Sequence, residues 1–139
     1  DAFGLPRDRF LFLFAFDFRS FIARKNPFAS LEAFRRAFPT GREKAGLVVK
    51  VMNASSDDPN WRRVRQAAAN DARIHLIEET LPRQAMLGLV DCCDAFLSLH
   101  RSEGFGRGPA EAMASETIGT PKAARRAGSP LALSTIAST

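Results

Sequence analysis

The feature that most constrains the fold is a nine-residue stretch from Phe10 to Phe18 in which phenylalanine occupies every second position. The positions between the first four of these phenylalanines are also apolar, namely Leu11, Leu13 and Ala15. Because successive side chains of a β-strand point to opposite faces, such a strand is apolar on both faces. That pattern is typical of a central strand that is covered on both sides.

The chain continues as an alternation of predicted helices and strands. Pro27 and Pro59 stand at predicted first helical positions behind the predicted caps Asn26 and Asp58. The predicted strands cover residues 10–16, 46–52, 74–77 and 95–99, and the predicted helices cover residues 27–38, 59–68, 82–90 and 108–115. This alternation predicts an α/β fold with a doubly wound parallel sheet, whose ligand lies beyond the carboxyl ends of the strands.

Composition narrows the class of protein. The chain has 139 residues, of which 25% are charged and 45% are hydrophobic, and this is ordinary for one globular domain. The net charge of +5 favours anionic ligands such as nucleoside diphosphates, and we find no nucleic-acid-binding motif and no stretch long enough to cross a membrane. The adjacent Cys92 and Cys93 favour a reduced, cytoplasmic location. Neither His75 nor His100 has metal-ligand spacing to other candidate ligands, so we expect no metal site.

The segment from Ser98 to Met113 is the most informative for function. The predicted strand at residues 95–99 enters a glycine-rich turn that opens a helix, and seven residues separate Glu103 from Glu111. Glycine lets the backbone approach a ligand, and a helix start offers free N–H donors to oxyanions. Each carboxylate can accept hydrogen bonds from sugar hydroxyls. The pattern therefore predicts a site for a polyhydroxylated, phosphorylated ligand, and the alternative is a helix cap with two solvated glutamates.

This segment resembles the donor-site motif of family 4 glycosyltransferases, which have the GT-B fold. The resemblance rests on the string Glu103-Gly104-Phe105-Gly106 and on Glu111, and it extends over about residues 10–114. It implies transfer of a sugar, with retention, from a nucleotide-sugar donor to an acceptor hydroxyl, with no further cofactor. It also implies that Glu103 is catalytic, that the Phe105 and Gly106 backbone holds sugar hydroxyls, and that Glu111 accepts from the ribose.

The loop after the first strand is the second candidate site. Ser20 offers a hydroxyl, and Arg24 and Lys25 offer positive charge just before a helix start, so together they could neutralise a diphosphate. The family resemblance implies that Lys25 contacts the donor diphosphate and acts in catalysis, with Arg24 and Ser20 as further contacts and Arg19 as a weaker candidate. The alternative for each residue is an exposed surface group.

The region after the third predicted strand holds two adjacent acids. Glu78 and Glu79 fall where members of the family hold the nucleotide base. Two exposed carboxylates with no ligand are an equally good interpretation.

The resemblance also bears on domain organisation. We expect residues 1–115 to form a partial nucleotide-sugar-binding Rossmann-like domain, and residues 116–139, rich in small residues and proline, to form a weakly ordered tail of the kind a frameshift would produce. The acceptor-binding N-terminal half is expected to be missing, and the full-length enzyme could associate peripherally with membranes. Three hypotheses stay open: a glycosyltransferase fragment with an unknown acceptor, a non-catalytic nucleotide- or sugar-binding module, and a non-functional truncated product.

Overall fold

The computed structural model describes residues 2–19 and 26–99. Within them the chain alternates between strand and helix, as the sequence predicts. The elements are β1 (Phe10–Asp17), α1 (Pro27–Ala37), β2 (Ala45–Met52), α2 (Pro59–Ala69), β3 (Ile74–Ile77), α3 (Arg83–Cys92) and β4 (Ala95–Phe96).

The four strands form one parallel sheet in the order β3-β2-β1-β4. Strand β1 therefore lies inside the sheet, which confirms the prediction made from its two apolar faces. The chain moves outward from β1 through β2 to β3 and then returns to the other side of β1 for β4. The point where the strand order reverses is the gap between β1 and β4, and open α/β sheets bind ligands at such a switch point.

The fourth strand is shorter than predicted. Its pairing with β1 covers only Ala95 and Phe96, although the Leu97 N–H still donates to the Leu13 carbonyl at 2.7 Å. Leu97 is buried, and Leu99 packs against the same apolar cluster without belonging to the strand. The apolar pattern of residues 97–99 thus reflects core packing as well as strand pairing. For this reason the strand predicted from that pattern is longer than the observed β4.

Helices cover both faces of the sheet. On one face, Phe14 and Phe16 of β1 pack with Leu31 of α1 and Trp61 of α2. On the other face, the intervening β1 side chains pack with α3 and the amino-terminal segment, in a cluster that includes Leu11, Leu13, Leu89, Val90 and Leu5. Each large apolar side chain fully buried in this way contributes about 1.5–3 kcal/mol. The two layers of helices confirm the doubly wound arrangement.

The two predicted helix caps differ in the structure. Asp58 caps α2 as expected, because its side chain accepts a hydrogen bond from the Asn60 N–H at 2.8 Å. Asn26 occupies the cap position of α1 in the left-handed conformation, with φ 56° and ψ 49°, and its side chain makes no capping bond. The predicted cap position of Asn26 is therefore confirmed, whereas its side chain does not cap the helix. Its side-chain amide donates instead to the Leu99 carbonyl.

A further finding concerns membranes. None of the helices in the described ranges has the length and apolar character needed to span a bilayer.

Candidate functional site at the carboxyl edge of the sheet

The predicted binding residues lie outside the residues that the structure describes. They are Ser20, Arg24, Lys25, Glu103, Gly104, Phe105, Gly106 and Glu111, and the predicted helix at 108–115 and the predicted tail at 116–139 lie outside as well. Their roles stay predictions. The structure does describe the residues that flank them, namely Arg19 and Asn26 on either side of the first loop and Leu99 before the second.

The flanking residues of the two loops meet directly. The side-chain amide of Asn26 donates to the Leu99 carbonyl at 3.1 Å, although 73 positions separate them in the sequence. Strands β1 and β4 are parallel neighbours, so the chain leaves both at the same edge of the sheet. The expectation that both loops start from one edge is thus confirmed for the strand ends, and the Asn26–Leu99 bond joins the two connections at the switch point.

Two hydrogen-bonded polar residues, Asp17 and Asn53, lie at the ends of β1 and β2 at this edge. Oδ1 of Asp17 accepts from the Arg19 N–H and from the Asn53 side-chain amide, each at 2.9 Å. The Phe18 N–H continues the ladder to the Met52 carbonyl at 2.8 Å. These bonds hold the backbone at the point where β1 turns into the loop 20–25. Sequence reasoning missed the pair, although a polar residue at or directly after each strand end was the available signal.

The two acids after β3 have different surroundings. Oε1 of Glu78 accepts from the indole N–H of the buried Trp61 at 2.9 Å and lies 3.5 Å from Nε of Arg65. Glu78 therefore ties the end of β3 to α2, which favours the structural interpretation for this residue. Glu79 is exposed.

A buried lysine lies near the same edge and was also missed by sequence reasoning. Lys50, in the second half of β2, is only 1% exposed, and its Nζ donates to the Val51 carbonyl at 2.7 Å. Burial lowers the pKa of Lys50, and the negative charge of Glu79 offsets part of that effect. The signal in the sequence was one basic residue inside an otherwise apolar, valine-rich strand.

His75 is a partly buried histidine in the first half of β3. His75 of β3 pairs in register with Val48, and no described residue bonds its buried Nε2. Burial, and secondarily the positive charge of Arg9, lowers the pKa of His75. Within residues 2–19 and 26–99, no group of three or more His, Cys, Asp or Glu side chains could hold a metal ion.

The sequence matches no protein-family model and no curated protein. Solved structures do resemble the chain. A UDP-forming α,α-trehalose-phosphate synthase from Burkholderia xenovorans is 17% identical with a TM-score of 0.63, and the match covers 83% of this chain and 29% of the synthase. The E. coli trehalose-6-phosphate enzyme bound with UDP-2-fluoro glucose is 13% identical with a TM-score of 0.62, and the match covers 83% and 28%.

A third structure, of a trehalose-6-phosphate synthase studied for glycosyl transfer with retention, is 13% identical with a TM-score of 0.57, and the match covers 78% and 28%. The chain therefore spans less than a third of the length of these enzymes. At this level of identity the similarity shows the fold. The chain has an α/β Rossmann-like fold that it shares with part of these synthases.

Proposed function

We propose that this chain is the donor-binding portion of a retaining glycosyltransferase, which transfers a sugar from a nucleotide-sugar to an acceptor hydroxyl. The proposal combines two independent supports. One is the family 4 motif that contains Glu103 and Glu111, and the other is a fold shared with synthases that include a UDP-forming enzyme and one bound with a UDP-sugar analogue. Assignment to family 4 in particular rests on the motif alone.

The observation that carries the proposal is the hydrogen bond between Asn26 and Leu99. Lys25 directly precedes Asn26, and Glu103 follows Leu99 by four positions. The bond therefore brings together the attachment points of the two segments that contain the predicted diphosphate-binding and sugar-binding residues. They meet at the switch point of the sheet, where this class of fold binds its ligands.

The proposed role of each residue follows from the charge that develops during sugar transfer. The bond between the anomeric carbon and the diphosphate breaks, so negative charge grows on the leaving group while the sugar becomes oxocarbenium-like. Lys25, Arg24, Ser20 and the amino terminus of α1 would stabilise the diphosphate. Glu103, with the backbone of Gly104, Phe105 and Gly106, would hold the sugar, and Glu111 would accept from the ribose hydroxyls.

Calorimetric titration with UDP and other nucleoside diphosphates tests the proposal. We expect the chain to bind at least one of them, and we expect Lys25→Ala to weaken binding by about tenfold or more, since it removes a charge-assisted hydrogen bond. The matched control is Lys44→Ala, which removes the same charge from an exposed position just before β2, at the opposite edge of the sheet. Equal effects of the two substitutions, or no binding of any nucleoside diphosphate, would refute the proposed site.

A further inference from the structure

Lys50 is the buried charge that the proposed function does not yet use. In the parallel register it lies between Ala15 of β1 and Ile77 of β3, in the interior of the sheet. Its side chain is 1% exposed, whereas lysine is almost never fully buried without a partner. A buried ammonium is costly unless its hydrogen bonds and its charge are satisfied, so this position requires an explanation.

The hydrogen bonds of Lys50 are incomplete. An ammonium has three donors, and Nζ of Lys50 uses one of them on the Val51 carbonyl. Among the described residues, no carboxylate forms an ion pair with Nζ. The charge of Glu79 acts on Lys50 without forming such a pair. Within residues 2–19 and 26–99, the ammonium therefore has donors with no partner and a largely uncompensated positive charge.

The position of the ammonium relates it to the ligand edge. The Val51 carbonyl lies beyond Lys50 in the direction of the carboxyl end of β2, so Nζ reaches toward the edge at which both candidate loops begin. Lys50 shares the α3 side of the sheet with Val48, and Met52 follows on the same side. Met52 is 39% exposed, so this face opens to solvent directly beyond Lys50.

We propose that Lys50 binds a phosphate oxygen of the nucleotide-sugar at the carboxyl edge of the sheet, an inference that rests on the proposed function. The ligand oxygen accepts from the unused donors of Nζ and supplies the missing negative charge. Lys50 approaches from β2, the strand next to β1, so the proposed contact comes from the sheet itself.

The test begins with the unmodified chain. Lysine ammonium signals are followed by NMR during titration with UDP and, separately, with pyrophosphate, and the Lys50 signal is assigned with Lys50→Arg. We expect both ligands to shift the Lys50 signal and to leave the Lys44 signal in place. If neither ligand moves the Lys50 signal at millimolar concentration, the inference is overturned, and this result does not depend on any variant folding.

Calorimetry then measures the contribution of the charge. Lys50→Met keeps the side-chain length without the charge, and we expect it to weaken UDP binding by about tenfold or more, while Lys44→Met stays within about twofold of the unmodified chain. The midpoint of thermal unfolding should not fall in Lys50→Met, because replacing a buried, unpaired charge by an apolar group is neutral or stabilising. If UDP affinity in Lys50→Met stays within about twofold of the unmodified chain, the inference on Lys50 is refuted and the proposed function is not affected.

A third variant separates ligand binding from an internal ion pair. Glu79→Gln removes the one described carboxylate that acts on Lys50, and we expect UDP binding to be unchanged or tighter. If Glu79→Gln weakens binding as much as Lys50→Met does, the two residues form a structural pair and the inference fails. A Lys50 signal that moves with pyrophosphate while UDP does not bind would support the anion site and refute the nucleotide-sugar proposal.

Discussion

At the scale of single residues, the structure is most informative where a polar group is buried with few partners. Lys50 is one such group and His75 is another. His75 lies in β3 near the positive charge of Arg9, and none of the described residues bonds its buried Nε2. The neutral imidazole is tolerated in this place, but a protonated one would carry a second positive charge into it.

This environment predicts a pH-dependent stability. The folded-state pKa of His75 lies below its ordinary value of 6.5, because burial and then Arg9 disfavour the charged form. Below about pH 6.5 the unfolded chain thus binds a proton at His75 that the folded chain excludes. The contribution of the neutral His75 to the free energy of unfolding is therefore fully present above that pH and decreases below it. Urea unfolding at about pH 7.5 and about pH 5.5, followed by the fluorescence of the single tryptophan, Trp61, measures the difference.

The control for this prediction is His75→Gln, which cannot titrate. We expect its free energy of unfolding to change less between the two pH values than that of the unmodified chain. An equal pH dependence in both proteins would show that another group is responsible.

At the scale of elements, Arg73 connects three segments at the amino edge of the sheet. Its guanidinium donates to both carboxylate oxygens of Asp71 at 2.8 and 2.9 Å, to the Phe38 carbonyl at the end of α1 at 2.8 Å, and to Glu43 before β2 at 3.2 Å. It also lies 5.1 Å from the ring centroid of Phe34. Its hydrogen bonds to Asp71 hold the pKa of that carboxyl below its ordinary value.

Removal of this connection should destabilise the chain. We expect Arg73→Met to lower the free energy of unfolding by about 2–4 kcal/mol, because it removes the guanidinium bonds to the Phe38 carbonyl and to Asp71. The matched control is Arg36→Met, whose arginine pairs with Glu32 while remaining 80% exposed, and which should cost at most about 0.5 kcal/mol. Similar losses from the two substitutions, measured by urea unfolding, would contradict the assigned role of Arg73.

At the scale of the whole molecule, the match to less than a third of each synthase bears on activity. Sugar transfer depends on a closed site that contacts the transition state and excludes water. Under the proposed function, a chain that corresponds to so small a part of such an enzyme would supply one wall of that site. We therefore expect the 139-residue chain to bind a nucleoside diphosphate weakly and not to transfer sugar.

An assay with labelled nucleotide-sugars and a panel of acceptors measures this expectation alongside the calorimetry. Turnover by the isolated chain that disappears in Lys25→Ala would show that the chain is a complete catalyst, and the interpretation as a donor-binding portion would then be wrong. Binding without turnover agrees with that interpretation.

The order and type of the elements could be predicted from the sequence because they follow from local patterns. Alternating phenylalanines with apolar residues between them identify β1 as a strand with two buried faces, and Asp58-Pro59 marks the start of α2. The strand bounds of β1 and β2 differ from the prediction by one residue, and those of β3 agree with it. The spacing of Glu103 and Glu111 predicts a ligand class for the same reason, since the chemistry is contained in one short segment.

The tertiary structure alone decided which distant residues meet. Asparagine is a residue type preferred at helix caps, yet the Asn26 side chain binds the Leu99 carbonyl. Only the pairing of β4 beside β1 brings that carbonyl within reach. The apolar residues around Lys50 mark it as unusual in the sequence, but its burial follows from the position of β2 between two other strands. Local sequence patterns determine secondary structure because their interactions are short in range, whereas burial and partners depend on contacts between elements that no single segment contains.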